Sequence, residues 1–316
     1  MGVFDLTGKR IWVTGHRGMV GSAILRALRA RGDVDLIGWT SAEVDLTDRS
    51  ATLDAAHEAR PDVVVMAAAK VGGIAANDAA PVEFLADNVR IQTNVMEAAH
   101  AAGVDRLLFL GSSCIYPRLA PQPIPAAAML TGPLEPTNDA YAIAKLAGVL
   151  HTQGYRREYG RRWISAMPTN LYGPGDSFDP ETSHVLPALI HRFDQAVRTG
   201  TDTVTLWGSG TPRREFLHVD DAASALIHLL EHHDGPEPVN VGTGEDLTIA
   251  QLAHLVADTV GYTGTITWDT TRPDGTPRKL LDITPLRTTG WEPTITLTDG
   301  IRTTWEWYRR HVTHGG

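Results

Sequence analysis

Apolar positions along the first half of the chain alternate between short continuous runs and stretches with helical spacing. Arg10–Thr14 reads as a strand, and Met19–Arg31 as a helix with Val20, Ile24, Leu25 and Leu28 on one face. Val34–Thr40 reads as a second strand. Asp62–Ala69 (DVVVMAAA) is apolar nearly throughout, the pattern of a strand covered on both faces. A long helix over Phe84–Ala102, a buried strand over Arg106–Gly111 and a second long helix over Ala140–Tyr159 follow. This alternation predicts an α/β fold, a Rossmann-type doubly wound parallel sheet with right-handed crossovers.

Beyond Gly173 the pattern changes. Pro174, Pro180 and Pro187 fall close together, and helical spacing returns at Val185–Arg198, Val219–His232, Ile249–Val260 and Asp299–His311. Short strands are expected at Val204–Trp207, Pro238–Val241 and Thr265–Trp268. The reading is a dinucleotide-binding domain over 1–173 and a smaller C-terminal α/β substrate domain over 174–316. The boundary is soft, with part of 211–235 expected to pack back on the first domain.

Composition narrows the function classes. The chain has 316 residues, 28 Lys and Arg against 37 Asp and Glu, and a formal net charge of −9. That balance argues against nucleic-acid binding, which needs clustered positive charge. The single cysteine, Cys114, excludes an internal disulfide and a cysteine-rich metal site, and no metal is expected. The N-terminus lacks the apolar run of a secretory signal, and no run suggests a membrane span. The expectation is a cytoplasmic protein.

The chemistry begins at Gly15-His16-Arg17-Gly18-Met19-Val20-Gly21, between the first strand and the first helix. Glycines there allow a tight turn, close approach of backbone to a pyrophosphate, and close helix–strand packing. The helix start offers free amides to phosphate. NAD sites place an acid at the tip of the second strand, whereas this strand ends Gly38-Trp39-Thr40-Ser41. Arg17 could meet a 2′-phosphate, so NADP(H) is the expected cofactor. Asp45, with Leu46 beside it, is a candidate contact on the adenine side, and an exposed turn aspartate is its alternative.

Tyr141 and Lys145 lie four apart at the start of a helical run and so share a face. A nearby ammonium favours the phenolate, so the spacing predicts a lowered Tyr141 pKa and proton delivery to a ketone oxygen. Ser112, in the Gly111-Ser112-Ser113 turn after a buried strand, would hold the carbonyl or the Tyr141 hydroxyl.

Together these features resemble the extended short-chain dehydrogenase/reductase superfamily. The blocks GHRGMVGSAI (15–24), AAAKVGGI (67–74), LLFLGSSCIYP (107–117), LEPTNDAYAIAKLAG (134–148), MPTNLYGP (167–174), SHVLPALIHRF (183–193), WGSGTPRREFLHVDD (207–221) and PDGTPRKLLD (273–282) resemble, more closely, the GDP-L-fucose synthase family. The resemblance runs nearly end to end. It implies 3,5-epimerisation and NADPH-dependent 4-reduction of GDP-4-keto-6-deoxy-D-mannose. It assigns Cys114 and His184 as base and acid. It places Leu110, Gly111, Ser112 and Ser113, then Pro168, Thr169, Asn170 and Leu171, along the cofactor, with Lys145 and His184 beside it. Arg192, Trp207, Arg214 and Asp274 would hold the GDP-sugar, with Lys279 close by. It also implies a homodimer built on the helices Phe84–Ala102 and Ala140–Tyr159. A member of that family carries arginine where this chain has Ser41, which leaves the 2′-phosphate one partner fewer.

Three readings compete. Another nucleotide-sugar 4-reductase, 4-epimerase or GDP-keto-heptose enzyme would share the fold. A cofactor-sensing protein without catalysis would share the first domain, although such a protein loses the tyrosine or lysine that this chain keeps. A nucleic-acid binder is disfavoured by the charge.

Overall fold

The computed structural model describes residues 4–179, 183–272 and 274–312. Pro180 of the proline cluster and Pro273 of the 273–282 block therefore lie outside the described residues.

The first layer opens with β1 (Arg10–Thr14), α1 (Met19–Arg31), β2 (Asp35–Ile37), α2 (Arg49–Ala59) and β3 (Val63–Met66). It continues with α3 (Ile74–Ala79), α4 (Pro81–Ala101), β4 (Arg106–Leu110), α5 (Asp139–Tyr159) and β5 (Arg162–Pro168). Then come β6 (Asn170–Tyr172), α6 (Val185–Thr199), β7 (Thr203–Trp207), β8 (Arg213–Arg214), β9 (Phe216–His218) and α7 (Val219–His232). The chain ends with β10 (Val239–Val241), β11 (Leu247–Thr248), α8 (Ile249–Val260), β12 (Thr265–Asp269), β13 (Arg278–Lys279), α9 (Thr284–Arg287) and α10 (Leu297–His311).

The large sheet has the order β10-β5-β4-β3-β1-β2 with every pair parallel. Side chains alternate across it, as a pleated strand requires. Val63, Val65, Leu108 and Ile164 face α1 and α7, meeting Ile24, Leu28, Leu226 and Leu229. Val64, Leu107, Phe109 and Trp163 face the other way, onto Val95, Met96 and Ala99 of α4 and Leu146 and Val149 of α5. Both faces are covered, which is why these strands are apolar at successive positions. The order reverses between β1 and β3, and a crevice at such a switch point, outside the carboxyl ends of the strands, is where open α/β sheets take ligands.

Three differences from the hydrophobic pattern have local causes. The second strand is confined to Asp35–Ile37, because β1 is its only neighbour and pairs with those three residues. Val239–Val241 is the edge strand of the large sheet, paired with Ala166–Pro168, rather than part of the later layer. Its shortness hides which sheet it joins. Helix α2 and strand β5 are not marked by the pattern. Helix α2 buries only Thr52, Ala55, Ala56 and Ala59, a stripe too weak to stand out, and it starts on an Asp48 cap to the Ala51 amide.

A second layer packs α6, α8 and α10 around Leu186, Ile190, Phe193, Leu252, Val256, Ile301 and Tyr308. Small sheets β12-β7 and β11-β8-β13 close it over the carboxyl edge of the large one. Arg106, at the start of β4, ties that strand to β5 and to the carboxyl end of α7. It is wholly buried, and its guanidinium donates to the carbonyls of Arg162, Leu229 and Leu230 and to that of His233. Among the described residues no helix is long and apolar enough to cross a membrane.

Candidate active site

At the carboxyl end of β1 the chain turns sharply into α1. Gly15 has φ +66°, and a Cβ there would lie 2.7 Å from the Ala68 backbone. A Cβ on Gly21 would lie 2.2 Å from the Gly15 oxygen. Only glycine fits either place, so the loop crosses beside β3 with no side chain between. Gly18 caps α1 without a side-chain bond, and no acid stands in the first turn. The amides of Met19, Val20 and Gly21 therefore face outward with the positive end of the helix dipole.

His16 folds over the end of β2, its ring against Gly38, and its Nδ1 is buried with no partner among the described residues. Arg17 opens on a cleft lined also by Ser22, Arg26 and Arg29. Sequence reasoning finds no acid at the tip of β2, yet the structure brings one back. Glu43 accepts the Thr40 amide at 2.7 Å, and that bond, with the fields of Arg17 and His16, holds its carboxyl below the usual range. Ser41 is exposed beside it. Asp45 is also exposed and closes a turn onto Thr47, with 2.9 Å to the amide and 2.8 Å to the hydroxyl. Leu46 is half-buried, and its carbonyl accepts from Asn94 at 2.9 Å.

The second cluster stands at the carboxyl end of β4. Leu110 ends that strand, and a Cβ on Gly111 would run into the Met167 side chain of β5. Ser112 accepts the Cys114 amide at 3.2 Å, and its hydroxyl, facing the Tyr141 phenol, acts to lower that phenol's pKa. Ser113 is buried below it. Lys145, buried at 4 % exposure, donates to the Leu110 carbonyl at 2.9 Å and lies 5.8 Å from the Tyr141 ring centre. Burial brings its pKa down to about 8. Burial pushes the Tyr141 phenol well above its ordinary value, and the Cys114 charge adds to that, against the opposing Ser112 bond. The lowered Tyr141 pKa expected from the spacing is thus reversed. Lys145 is turned to a backbone carbonyl, and desolvation of the phenol sets the direction.

Cys114 meets two donors that sequence spacing does not bring together. Asn138 Nδ2 lies 3.4 Å from Sγ and Lys279 Nζ 3.6 Å. The cleft around them is lined by Tyr116, Arg118, Ile124, Glu135, Thr276 and Arg278. Lys279 and Arg214 are register partners on β13 and β8. Arg214 donates to the carbonyls of Arg213 and Thr276 at 2.8 and 2.6 Å. Loss of water lowers its pKa, against the fields of Glu135, Cys114 and Asp274. His184 caps α6 and keeps solvent contact, yet the protein around its ring pushes its pKa down.

A third group lies further out. Trp207 is 63 % exposed, with the guanidinium of Arg192 5.7 Å from its ring centre and that of Arg272 at 5.0 Å. Asp274 packs on Gly208 and accepts from the Ser209 amide and hydroxyl at 2.9 and 2.7 Å. Between the clusters, Thr169 and Asn170 donate to the Glu215 carbonyl at 3.3 and 2.8 Å, behind Pro168 at the end of β5 and beside half-buried Leu171. Asn138, Glu43, Glu215 and Arg272 are the residues sequence reasoning missed. Only the 134–148 and 207–221 blocks, which contain Asn138 and Glu215, offered a signal. Among the described residues, no three His, Cys, Asp or Glu side chains are grouped to hold a metal ion.

Residues 11–242 match the family described as NAD dependent epimerase/dehydratase. GDP-L-fucose synthase 1 of Arabidopsis thaliana is 53 % identical over 303 residues, covering 96 % of this chain and 94 % of that one. The GDP-L-fucose synthase of Escherichia coli K12 is 51 % identical over 312 residues, covering 96 % and 97 %. This chain belongs to the NAD dependent epimerase/dehydratase family, with the GDP-L-fucose synthases. The fold agrees. A GDP-L-fucose synthetase of Naegleria fowleri, solved with NADP bound, superposes with a TM-score of 0.91 at 28 % identity, over 99 % of this chain and 98 % of that one.

Proposed function

We propose that this chain converts GDP-4-keto-6-deoxy-D-mannose to GDP-L-fucose, inverting C3 and C5 and then reducing C4. The observation that carries it is the meeting of a proton-donor pair, Tyr141 and Ser112, with a thiol held by Lys279 and Asn138 at the end of one strand. A plain 4-reductase needs only the first.

The cofactor is NADP(H), and the chain's residues fit it. The Gly15–Gly21 loop has no room for a Cβ at either end, the α1 amides are free of side-chain caps, and Lys145 brings a buried amine without a carboxylate. Leu110–Ser113 and Pro168–Leu171 would line it, with His184 beside it. When bound, NADPH supplies the reducing equivalent for C4. The protein does the rest. Because burial keeps the Tyr141 phenol protonated, it can give its proton to the C4 oxygen as charge develops there, with Ser112 as second donor. The same two hydroxyls serve the enolate oxygen when C3 or C5 loses its proton. Cys114 acts as base, and His184 serves the opposite face as acid; burial lowers its pKa, so its imidazolium gives up a proton readily.

Trp207 offers a face for guanine, Asp274 a carboxylate for its edge, and Arg192 and Arg214 the forks that suit a diphosphate. The division into a dinucleotide part, 1–173, and a substrate part, 174–316, belongs to this reading, with α7 and β10 lent by the second to the first. So does a cytoplasmic homodimer through α4 and α5, whose outer faces expose Val82, Leu85, Ile143 and Leu150. A monomer in sedimentation at micromolar concentration would contradict the dimer.

Incubation with GDP-4-keto-6-deoxy-D-mannose and NADPH tests the function. NMR should show GDP-L-fucose, and a C4 alcohol with C3 and C5 unchanged would refute it. The kcat/KM for NADPH is expected to exceed that for NADH through Arg17. Equal values would remove Arg17 as the 2′-phosphate partner. Gly21→Ala places a methyl 2.2 Å from the Gly15 oxygen, and that backbone cannot yield cheaply. The expected result is a loss of about 1–3 kcal/mol in stability and a weaker NADP(H) site. Unchanged thermal unfolding and cofactor titration would count against this reading of the loop.

A further inference from the structure

We propose that Lys279 is a catalytic residue whose ammonium holds Cys114 as the thiolate that takes protons from the carbons flanking the sugar ketone. This rests on the reading of Cys114 as the base, and it gives Lys279 a role other than contact with the GDP moiety.

The other cations along the cleft have partners of their own. Arg118 lies 3.3 Å from Glu135. Arg278 and Arg213 both pair with Asp246. Arg214 turns its Nη1 to two carbonyls. Lys279 has no carboxylate at ion-pair distance among the described residues, and its Nζ rests 3.6 Å from the Cys114 sulfur. A lysine beside a thiol with no competing anion is the arrangement that favours thiolate.

This lysine is also held in place. Its strand, β13, pairs with β8 on one side, and the next two amides are tied down: Leu280 to Gln122 Oε1 at 2.9 Å and Leu281 to Glu215 Oε2 at 3.0 Å. Glu215 is wholly buried and accepts the Thr243 and Gly244 amides as well, both at 2.7 Å. The amine thus reaches Cys114 from a fixed backbone. Asn138 Nδ2 supplies a second donor from the turn that opens α5. The other titratable groups around the sulfur are Tyr141, Arg118, Glu135, Arg214 and Arg278.

In the step, the thiolate takes the proton from C3 or C5, the C–H electron pair passes into the enolate with its charge on the C4 oxygen, and Cys114 becomes a neutral thiol. His184 gives a proton to the opposite face, the enolate returns to the ketone, and the two side chains recover their protonation through solvent. Nothing is oxidised or reduced. Lys279 stays an ammonium throughout, and its charge favours loss of the Cys114 proton to solvent before the second inversion.

Because Cys114 is the only thiol in the chain, alkylation reports on it alone. The rate of iodoacetamide labelling of the NADP+-bound protein is measured against pH for wild type, Lys279→Met and Lys279→Arg. The labelling midpoint is expected to rise by about one pH unit or more in Lys279→Met and to return most of the way in Lys279→Arg. Solvent-deuterium entry at C3 and C5 at pH 7 should fall at least about tenfold in Lys279→Met, as the thiolate fraction falls. An unmoved midpoint in Lys279→Met that still binds NADP(H) overturns the proposal. So does a loss of GDP affinity with the midpoint fixed, which would make Lys279 a diphosphate contact. If Lys279→Met does not fold, Lys279→Gln makes the same comparison. If Cys114→Ala keeps deuterium exchange, the base reading itself fails and the catalytic role of Lys279 falls with it, whatever the midpoint shows.

Discussion

Tyr141→Phe is expected to slow the 4-reduction by about 10²- to 10⁴-fold, the usual worth of a positioned proton donor. Deuterium entry at C3 and C5 should fall less, and NADP(H) should bind as before. The asymmetry follows from the geometry. In the reduction the phenol must give up its proton, and the Ser112 hydroxyl beside it is a far weaker acid and cannot take over that role. In the epimerisation steps the phenol is one of two hydrogen-bond donors to an enolate oxygen, and Ser112 remains. The side chain is well placed to survive the change, because its ring packs edge-on against Phe84 at 6.4 Å and loses only an oxygen. NADPH oxidation measured beside NMR of the exchanged sugar separates the two effects. Reduction within about tenfold of wild type would remove Tyr141 as the donor.

The same geometry fixes a pH dependence. Burial raises the Tyr141 phenol, so its protonated, donating form persists as pH climbs through the usual tyrosine range. Burial lowers Lys145 to about 8, so its charge is present below that pH and lost above it. A basic limb in the reduction is therefore expected near 8 and belongs to Lys145. It should move in Lys145→Arg, whose guanidinium does not titrate there.

The glycine loop and the Tyr141–Lys145 spacing were legible in the sequence because each is local. A strand, a turn and a helix within about twenty residues leave a pattern that periodicity reads directly. The pKa of Tyr141 was not legible. It depends on how deeply β4 and α5 bury the phenol, and on Lys145 finding the Leu110 carbonyl, neither of which spacing encodes. Cys114 was placed only through the family resemblance, since a lone thiol has no pattern of its own. Its partners, Asn138 and Lys279, stand 24 and 165 residues away along the chain. Glu43 shows the opposite failure. The acid sought at the tip of β2 is present but three residues late, and only the turn that carries its carboxylate back to Thr40 reveals it. Edge strand β10 reads as a strand in the sequence but not as part of the large sheet, because the three residues Val239, Asn240 and Val241 are too few to show which sheet they join.

Cys114→Ala is expected to lower deuterium entry at C3 and C5 by at least about 10²-fold, the lower bound for losing a general base. Cys114→Ser should do nearly the same. A serine hydroxyl keeps the size and the hydrogen bond to Asn138, but it holds its proton far more tightly than a thiol, so Lys279 cannot make it a base at neutral pH. Two competing outcomes carry different meanings. If both variants still exchange C3 and C5, another group is the base, and the convergence of Lys279 and Asn138 on the sulfur has some other purpose. If both lose exchange and still oxidise NADPH against the keto sugar, the reduction centre of Tyr141 and Ser112 works alone. That second outcome is the one this structure favours. The reducing pair stands on α5 and on the turn after β4, with Lys145 beneath, whereas the thiol takes its donors from β13 and from Asn138. Removing the sulfur leaves the first set in place. The variant would then be a plain 4-reductase, which makes Cys114 the residue that separates this chemistry from the simpler activity the same fold supports.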